Sequence, residues 1–103
     1  MLAPNHPTRR PDVETYVLPD GTSLLFDPVT EAGHPLDVVS SLIWDYCDGT
    51  LARDAIAGEL VALLPQVPDA AAHAYVVLDE FAQLGLLLVP ETPRSTEARV
   101  PPF

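Results

Sequence analysis

Apolar residues recur at helical spacing in three stretches of the chain, and the first stretch has the clearest ends. Between Leu36 and Gly49 they follow the i, i+3, i+4, i+7 pattern of a helix with one buried face. Asp37 is suited to cap the first turn, because its carboxylate can accept a free backbone N–H. Gly49 is suited to close the helix in a left-handed conformation. The buried face is predicted to comprise Val39, Leu42, Ile43, Tyr46 and Cys47, with Trp44 at its edge.

A second helix is predicted from about Leu51 to Leu64, after the turn formed by Asp48, Gly49 and Thr50. Thr50 is the expected N-cap. Two prolines then interrupt the helical pattern, and a helix seldom continues through a proline. The apolar positions of this helix are Ala55, Ile56, Leu60, Leu63 and Leu64.

A third helix is predicted to start at Asp69, its expected cap, and to end near Gly85. A short apolar run, Leu86 to Val89, follows and is interpreted as extended. The buried stripe of the helix is expected to comprise Ala70, Ala74, Val77, Leu78 and Phe81.

The part of the chain before these helices has the pattern of short strands. Val13 to Leu18 alternates and is rich in β-forming residues, and Ser23 to Asp27 follows after a Pro-Asp-Gly-Thr turn. A third extended piece, His34 to Leu36, contains Pro35, which lacks an N–H and so predicts an edge strand or a very short one. Strands followed by helices indicate an α+β domain with the helices on one side of a small antiparallel sheet.

The chain has 103 residues and is long enough for one domain. Residues 1–11 contain three prolines and few apolar side chains, so we expect a flexible N-terminal tail, a domain over residues 12–90 and a flexible C-terminal tail over residues 91–103. No apolar run approaches the length of a membrane span of about 20 residues, and the N-terminus lacks the pattern of a secretory signal. The single cysteine, Cys47, fits a reducing compartment. These features predict a cytoplasmic protein.

The charge of the predicted domain is strongly negative. Thirteen of the 15 acidic residues lie between Asp12 and Pro90, together with only one of the five arginines, Arg53. A nucleic-acid-binding surface needs basic residues to neutralise phosphates, and this segment lacks them. The negative field would attract basic ligands or basic peptide segments, mainly by steering their approach. The alternative is that the charge serves solubility alone.

The sequence contains no recognisable catalytic or metal-binding constellation. Its three histidines, His6, His34 and His73, are too scattered to form a metal-binding motif. Cys47 lies on an apolar helix face, where cysteine usually behaves as a small hydrophobic side chain. No phosphate-binding loop, nucleophile elbow or paired-carboxylate signature is present. We therefore expect no catalytic residue, no metal and no cofactor, and favour a binding module over an enzyme.

A set of motifs between Gly21 and Leu87 resembles the PqqD-like family, the RiPP recognition elements that bind the leaders of ribosomally synthesised precursor peptides. No single motif is specific, but their order and spacing together are. The motifs are Leu36-Asp37, Ile43-Trp44, Cys47-Asp48-Gly49, Ile56 with Glu59-Leu60, Leu78 with Phe81, and Gly85-Leu86-Leu87.

The resemblance implies a winged-helix-like fold, with a three-stranded antiparallel sheet followed by three helices. It also implies a non-catalytic peptide chaperone, in which the leader adds as a strand to the edge of the sheet and its side chains enter a groove beside the third helix. A separate RiPP-modifying enzyme or leader peptidase would be the other partner. The implied peptide-binding residues are Thr30, Glu31, Ala32, Gly33, His34, Pro35, Ala71, Ala74, Tyr75 and Leu78.

Two positions depart from the family pattern. Pro35 removes a donor from the expected docking edge, which leaves the register of the peptide open. Ala52 stands where relatives often carry a Ser or Thr helix cap, which is why Thr50 is the expected cap here.

Two other functions remain open at the level of sequence. The two helices joined by Asp-Gly-Thr also resemble a helix-turn-helix, so a winged-helix transcriptional regulator is one alternative, with Leu51 to Leu64 as its recognition helix. That helix offers Arg53 and little else to DNA. A small structural or accessory subunit that dimerises through apolar surface is the second alternative, and the sequence leaves the oligomeric state undetermined.

Overall fold

The structure is a computed structural model that describes residues 5–88. A three-stranded antiparallel sheet in the order β1-β2-β3 is followed by three helices, so the predicted winged-helix-like α+β fold is confirmed. The strands are β1 (Glu14–Val17), β2 (Ser23–Asp27) and β3 (Ala32–Leu36), and the helices are α1 (Val38–Asp45), α2 (Arg53–Leu63) and α3 (Ala70–Gln83).

Two tight turns join the strands. In the first, Gly21 takes a φ of 90°, a conformation that glycine adopts without strain, and the Asp20 carboxylate accepts the Thr22 N–H at 3.0 Å. In the second, the left-handed residue is Glu31, with a φ of 60°, and its N–H donates to the Asp27 carbonyl at 2.7 Å. Both turns return the chain directly into an antiparallel partner.

The core lies between one face of the sheet and the helices, and Trp44 is at its centre. The indole is 1 % exposed, and its ring meets Phe81 of α3 edge-to-face with centroids 5.1 Å apart. Its Nε1–H donates to Thr15 Oγ1 of β1 at 3.0 Å. One side chain of α1 therefore joins the sheet to the last helix.

The predicted first helix exists, but it is shorter than its pattern indicated. Asp37 is the N-cap, and its carboxylate accepts the Ser40 N–H at 2.8 Å, as predicted. The helix ends at Asp45, and Gly49 lies in the turn beyond it with a φ of 86°. The prediction that Gly49 directly closes α1 is therefore wrong, although the glycine does occupy a left-handed position.

The caps of the other two helices differ from the predictions. Ala52 occupies the N-cap position of α2 and offers no side-chain acceptor, while the Thr50 hydroxyl donates to Asp48 at 2.6 Å. Thr50 therefore stabilises the turn before the helix. Asp69 is the N-cap of α3 but takes a φ of 56°, and its side chain caps nothing. The buried stripe of α3 is confirmed, whereas α2 buries Ile56, Ala57 and Leu60 and leaves Ala55 and Leu63 exposed.

Residues 5–10 form an N-terminal strap that is part of the domain. The Arg9 N–H donates to the Cys47 carbonyl at 2.7 Å, and the Arg10 N–H donates to the Leu86 carbonyl at 3.0 Å. Pro7 is fully buried. The prediction of a flexible tail therefore does not hold for residues 5–10, because their main-chain groups pair with the ends of α1 and α3. Residues 1–4 and the predicted C-terminal tail, residues 91–103, lie outside the described residues.

Candidate functional site

Hydrogen bonds at the two turns show whether the main-chain N–H and C=O of each β2 residue point toward β1 or toward β3. The Leu18 N–H donates to the Thr22 carbonyl at 2.9 Å, so the main-chain groups of Thr22 point toward β1. The Asp27 carbonyl accepts from Glu31, so Asp27 points toward β3. Because the groups of successive residues alternate in direction along a strand, the even-numbered residues of β2 face β1 and the odd-numbered residues face β3.

This alternation fixes the free edge of β3. Leu25 of β2 is opposite His34, so His34 directs its N–H and C=O inward to β2. Gly33 and Pro35 direct theirs outward, and no residue of the described chain hydrogen-bonds to them. Pro35 thus occupies an outward position, where a missing N–H costs the sheet no ladder bond. The free edge of β3 presents the N–H and C=O of Gly33 and the C=O of Pro35.

The side chains of β3 also alternate between the two faces of the sheet. Ala32 and His34 are half-buried on the helix side, and Leu36 is buried there. Gly33 and Pro35 are exposed on the opposite face. Thr30 and Glu31 are exposed in the turn that precedes the strand. The structure therefore brings the six site residues predicted between Thr30 and Pro35 together along one edge.

The four site residues predicted on α3 do not form an open surface. Ala74 and Leu78 are fully buried in the core. Tyr75 is half-buried, and its hydroxyl donates to Asp54 of α2 at 2.6 Å, while the Arg53 guanidinium lies 5.0 Å from the centroid of its ring. Ala71 lies one turn before Tyr75 on the same side of α3 and is also half-buried. Tyr75 thus faces α2, and Ala74 and Leu78 belong to the hydrophobic core.

A different residue of α3 acts electrostatically on the residue that follows β3. The pKa of Asp37 is lowered chiefly by the hydrogen bond from the Ser40 N–H, and also by the charge of His73. On a helical projection His73 and Tyr75 lie on different flanks of α3, because two residues are separated by about 200° of helix rotation. Helical periodicity alone did not distinguish the flank toward α2 from the flank toward β3.

The Arg10 guanidinium binds Asp27 at the start of the turn that leads into β3. All five of its N–H groups donate: two to each carboxylate of Asp12 and Asp27, at 2.7–3.2 Å, and one to the Gly85 carbonyl at 2.9 Å. The Asp27 side chain is 1 % exposed and also accepts the Val29 N–H at 2.9 Å. The strap, the end of α3 and the β2–β3 turn therefore meet at one cation. No local sequence pattern marks this role of Arg10, which lies in a segment that was predicted to be a flexible tail.

The ionisation of Asp27 depends on that contact. The hydrogen bonds from Arg10 are the main reason that the pKa of Asp27 is below its usual range. A folded-state pKa below the unfolded value stabilises the fold at every pH above the unfolded pKa, which is about 4. That stabilisation is lost as the pH falls below about 4 toward the folded-state pKa.

We expect Asp27→Asn to weaken the dependence of stability on pH below about 4, since it removes a group of depressed pKa. The substitution should also lower the free energy of unfolding at neutral pH more than Asp12→Asn does, because Asp27 is buried and Asp12 is half-exposed. Urea unfolding followed by circular dichroism between pH 3 and 7 measures both effects. An unchanged slope against pH in Asp27→Asn, or a larger loss in Asp12→Asn, would contradict the assignment.

The other candidate chemistries find little support among residues 5–88. No three His, Cys, Asp or Glu side chains of this range are grouped so that they could hold a metal ion. The Cys47 thiol donates to the Ile43 carbonyl at 3.3 Å, and burial raises its pKa to about 12. Arg53 is engaged by Asp79 at 3.3 Å and by the Tyr75 ring, so α2 has no unpaired arginine to offer to DNA. None of the described helices is both long enough and apolar enough to span a bilayer.

The solved structure of TbiB1 in complex with the TbiA(beta) leader peptide is similar to this chain, with a TM-score of 0.64. The chain has a TbiB1-like fold. The match covers 82 % of this chain and 99 % of the TbiB1 chain. Sequence identity to TbiB1 is 19 %, and at this level the likeness is one of fold. Comparison with protein-family models and with curated proteins gives no match.

Proposed function

We propose that this protein is a non-catalytic peptide chaperone that binds the leader of a ribosomally synthesised precursor by strand addition to β3. It would then present the precursor to a separate modifying enzyme or leader peptidase. The observation that carries the proposal is the free edge of β3, where Gly33 and Pro35 direct unpaired main-chain groups outward. The TbiB1-like fold supports it, because TbiB1 was solved with a leader peptide bound.

Strand addition is a physically reasonable use of this edge. An unpaired edge strand is a template for another chain, and main-chain hydrogen bonds then supply affinity while side-chain pockets supply selectivity. β3 is short and contains a proline, two features that protect free edges from indiscriminate pairing. Helix α1 packs against both β3 and α3, so a peptide on this edge would have helical side chains beside it.

The proposed contact set keeps the residues implied by the family resemblance and gives them different roles. Gly33 and Pro35 would bind through the main chain, and Ala32 and His34 through half-buried side chains on the helix side. Thr30 and Glu31 would flank the entrance. On α3, Ala71 and Tyr75 lie on the flank toward α2 and would act on the site only through helix packing, while Ala74 and Leu78 would support it from the core.

The charge of the protein favours leaders that carry basic residues next to their apolar anchors. The chain has a formal net charge of −10, and Arg53 is the only arginine or lysine between Asp12 and Pro90. Such a field accelerates the approach of a cationic peptide more than it strengthens the final complex. Association should therefore slow as salt is added, with a smaller change in the dissociation rate.

The test is a titration of a fluorescein-labelled leader, taken from a precursor-like reading frame beside the gene, into the purified protein. We expect a Kd below roughly 100 μM, corresponding to about −5.5 kcal/mol. A scrambled peptide of the same composition is the control for charge, and the TbiA(beta) leader tests how far recognition extends beyond the cognate peptide. Equal binding of the cognate and scrambled peptides, or no binding at 100 μM, would contradict the proposal.

A second candidate function, a small dimerising accessory subunit, is favoured by the outer face of the sheet. The face opposite the helices carries Tyr16 and Leu24, which are cross-strand partners and are 51 % and 41 % exposed. Their neighbour across β2 is Pro35, which is also exposed. Sedimentation of the protein alone, and of Tyr16→Ser, separates the two functions. A concentration-dependent dimer that the substitution abolishes would favour the accessory subunit.

A further inference from the structure

We infer that Pro35 leaves β3 with a single outward donor, so that the leader pairs with this edge through only two of its N–H groups and one of its C=O groups. The inference rests on the proposed function, because it describes how the leader pairs with the edge of β3. It depends on the direction of the main-chain groups of Gly33 and Pro35.

The edge is deficient in donors. Two outward residues of an ordinary strand would present two N–H and two C=O groups. Because Pro35 has no N–H, β3 presents a single donor, the Gly33 N–H, and two acceptors, the carbonyls of Gly33 and Pro35. A bound leader must therefore direct two N–H groups and one C=O group at β3.

Both ends of this edge are closed. Before β3, Glu31 takes a left-handed φ of 60° and its N–H is used by the Asp27 carbonyl, so the extended edge does not reach it. After β3, the Asp37 carbonyl accepts the Ser41 N–H at 2.9 Å as α1 begins. Regular pairing with the leader is thus confined to Gly33 and Pro35.

These features together set the number of main-chain hydrogen bonds and leave the choice of register to the side chains of the leader. A slip by two residues places other leader residues at the same donors and acceptors and makes the same main-chain hydrogen bonds. A slip by one residue exchanges the two faces of the leader. In every register Gly33 both donates and accepts, whereas the leader carbonyl that faces Pro35 finds no donor.

An N-methyl scan of the fluorescein-labelled leader tests this pairing. We expect two N–H groups, two residues apart, whose methylation weakens binding by about tenfold or more, and little effect of methylation elsewhere. The spacing holds for parallel and antiparallel addition alike, because the two acceptors on β3 are two residues apart. Sensitivity at three or more alternating positions would show an edge longer than the one described and would overturn the inference.

The variant Pro35→Ala tests the role of proline directly. Alanine supplies the missing N–H, which can donate to the leader carbonyl that faces position 35, so we expect the unmodified leader to bind about 2–10 times more tightly. Pro65→Ala, in the connection between α2 and α3, is the matched control and should leave binding unchanged. Equal affinity of Pro35→Ala and wild type, with both folded by circular dichroism, would overturn the inference while leaving the proposed function standing. Failure of every leader to bind the wild type would contradict both the inference and the proposed function.

Discussion

Trp44→Ala is expected to lower the free energy of unfolding by about 3–5 kcal/mol, the usual cost of truncating a large buried aromatic side chain. The loss is large compared with the total stability of a small domain, which is about 5–15 kcal/mol. Trp44 contacts β1 through Thr15 and α3 through Phe81, so the cavity would open between the sheet and the last helix. Urea unfolding followed by circular dichroism at 222 nm measures the loss, since the variant has no tryptophan fluorescence.

The variant Trp44→Phe separates packing from hydrogen bonding at the same site. It retains an aromatic ring beside Phe81 and loses the bond from Nε1–H to Thr15. We expect it to cost roughly half as much as Trp44→Ala or less, because most of the apolar contact remains. Equal losses in the two variants would show that the hydrogen bond, and not the packing, is what the core depends on.

Gly33→Pro is expected to weaken binding of the leader by about tenfold or more, because it removes the one N–H that β3 presents outward. The fold should tolerate the change, since that N–H does not belong to the ladder with β2. Leader titration measures the affinity, and thermal unfolding shows whether the domain is intact.

Two control variants make the result specific to this N–H and this edge. Gly33→Ala keeps the N–H and adds a Cβ that would lie 3.6 Å from Leu24 Cδ1, an ordinary contact, so affinity should stay close to wild type. Val17→Pro places a proline at an outward position of β1, the other edge of the sheet, and should also bind normally. If Val17→Pro lost binding and Gly33→Pro kept it, the leader would have to be placed on β1.

The elements of this fold were predictable where the signal is local. Ser23–Asp27 has the bounds that were predicted for the strand after the Pro-Asp-Gly-Thr turn, and Asp37 caps α1 as its side-chain chemistry requires. The stripe of α3 was predicted because every member recurs at helical spacing on one buried face. The cap of α2 was not predicted correctly, because the hydroxyl of Thr50 has a competing acceptor in Asp48, two residues away.

The features that position the candidate site depend on contacts between distant parts of the chain. Arg10 reaches Gly85, which is 75 residues away in sequence, and no local pattern marks that pairing. The side of α3 that faces β3 depends on how α1 and α2 pack, so the family resemblance placed Ala74 in a peptide groove although its helical spacing placed it in the core, where it lies. Pro35 was correctly identified as a missing donor, but its outward direction follows only from hydrogen bonds at both turns of the sheet.

The five hydrogen bonds of Arg10 bear on how this domain can be shortened or transplanted. A fragment that began at Asp12 would contain every strand and helix, yet it would leave the carboxylate of Asp27 buried without its cation. Lysine has three donors on one nitrogen and cannot span two carboxylates and a carbonyl as the planar guanidinium does. A minimal module, or a chimera that carries the β3 edge into another scaffold, therefore needs its N-terminus at or before residue 5 and an arginine at position 10.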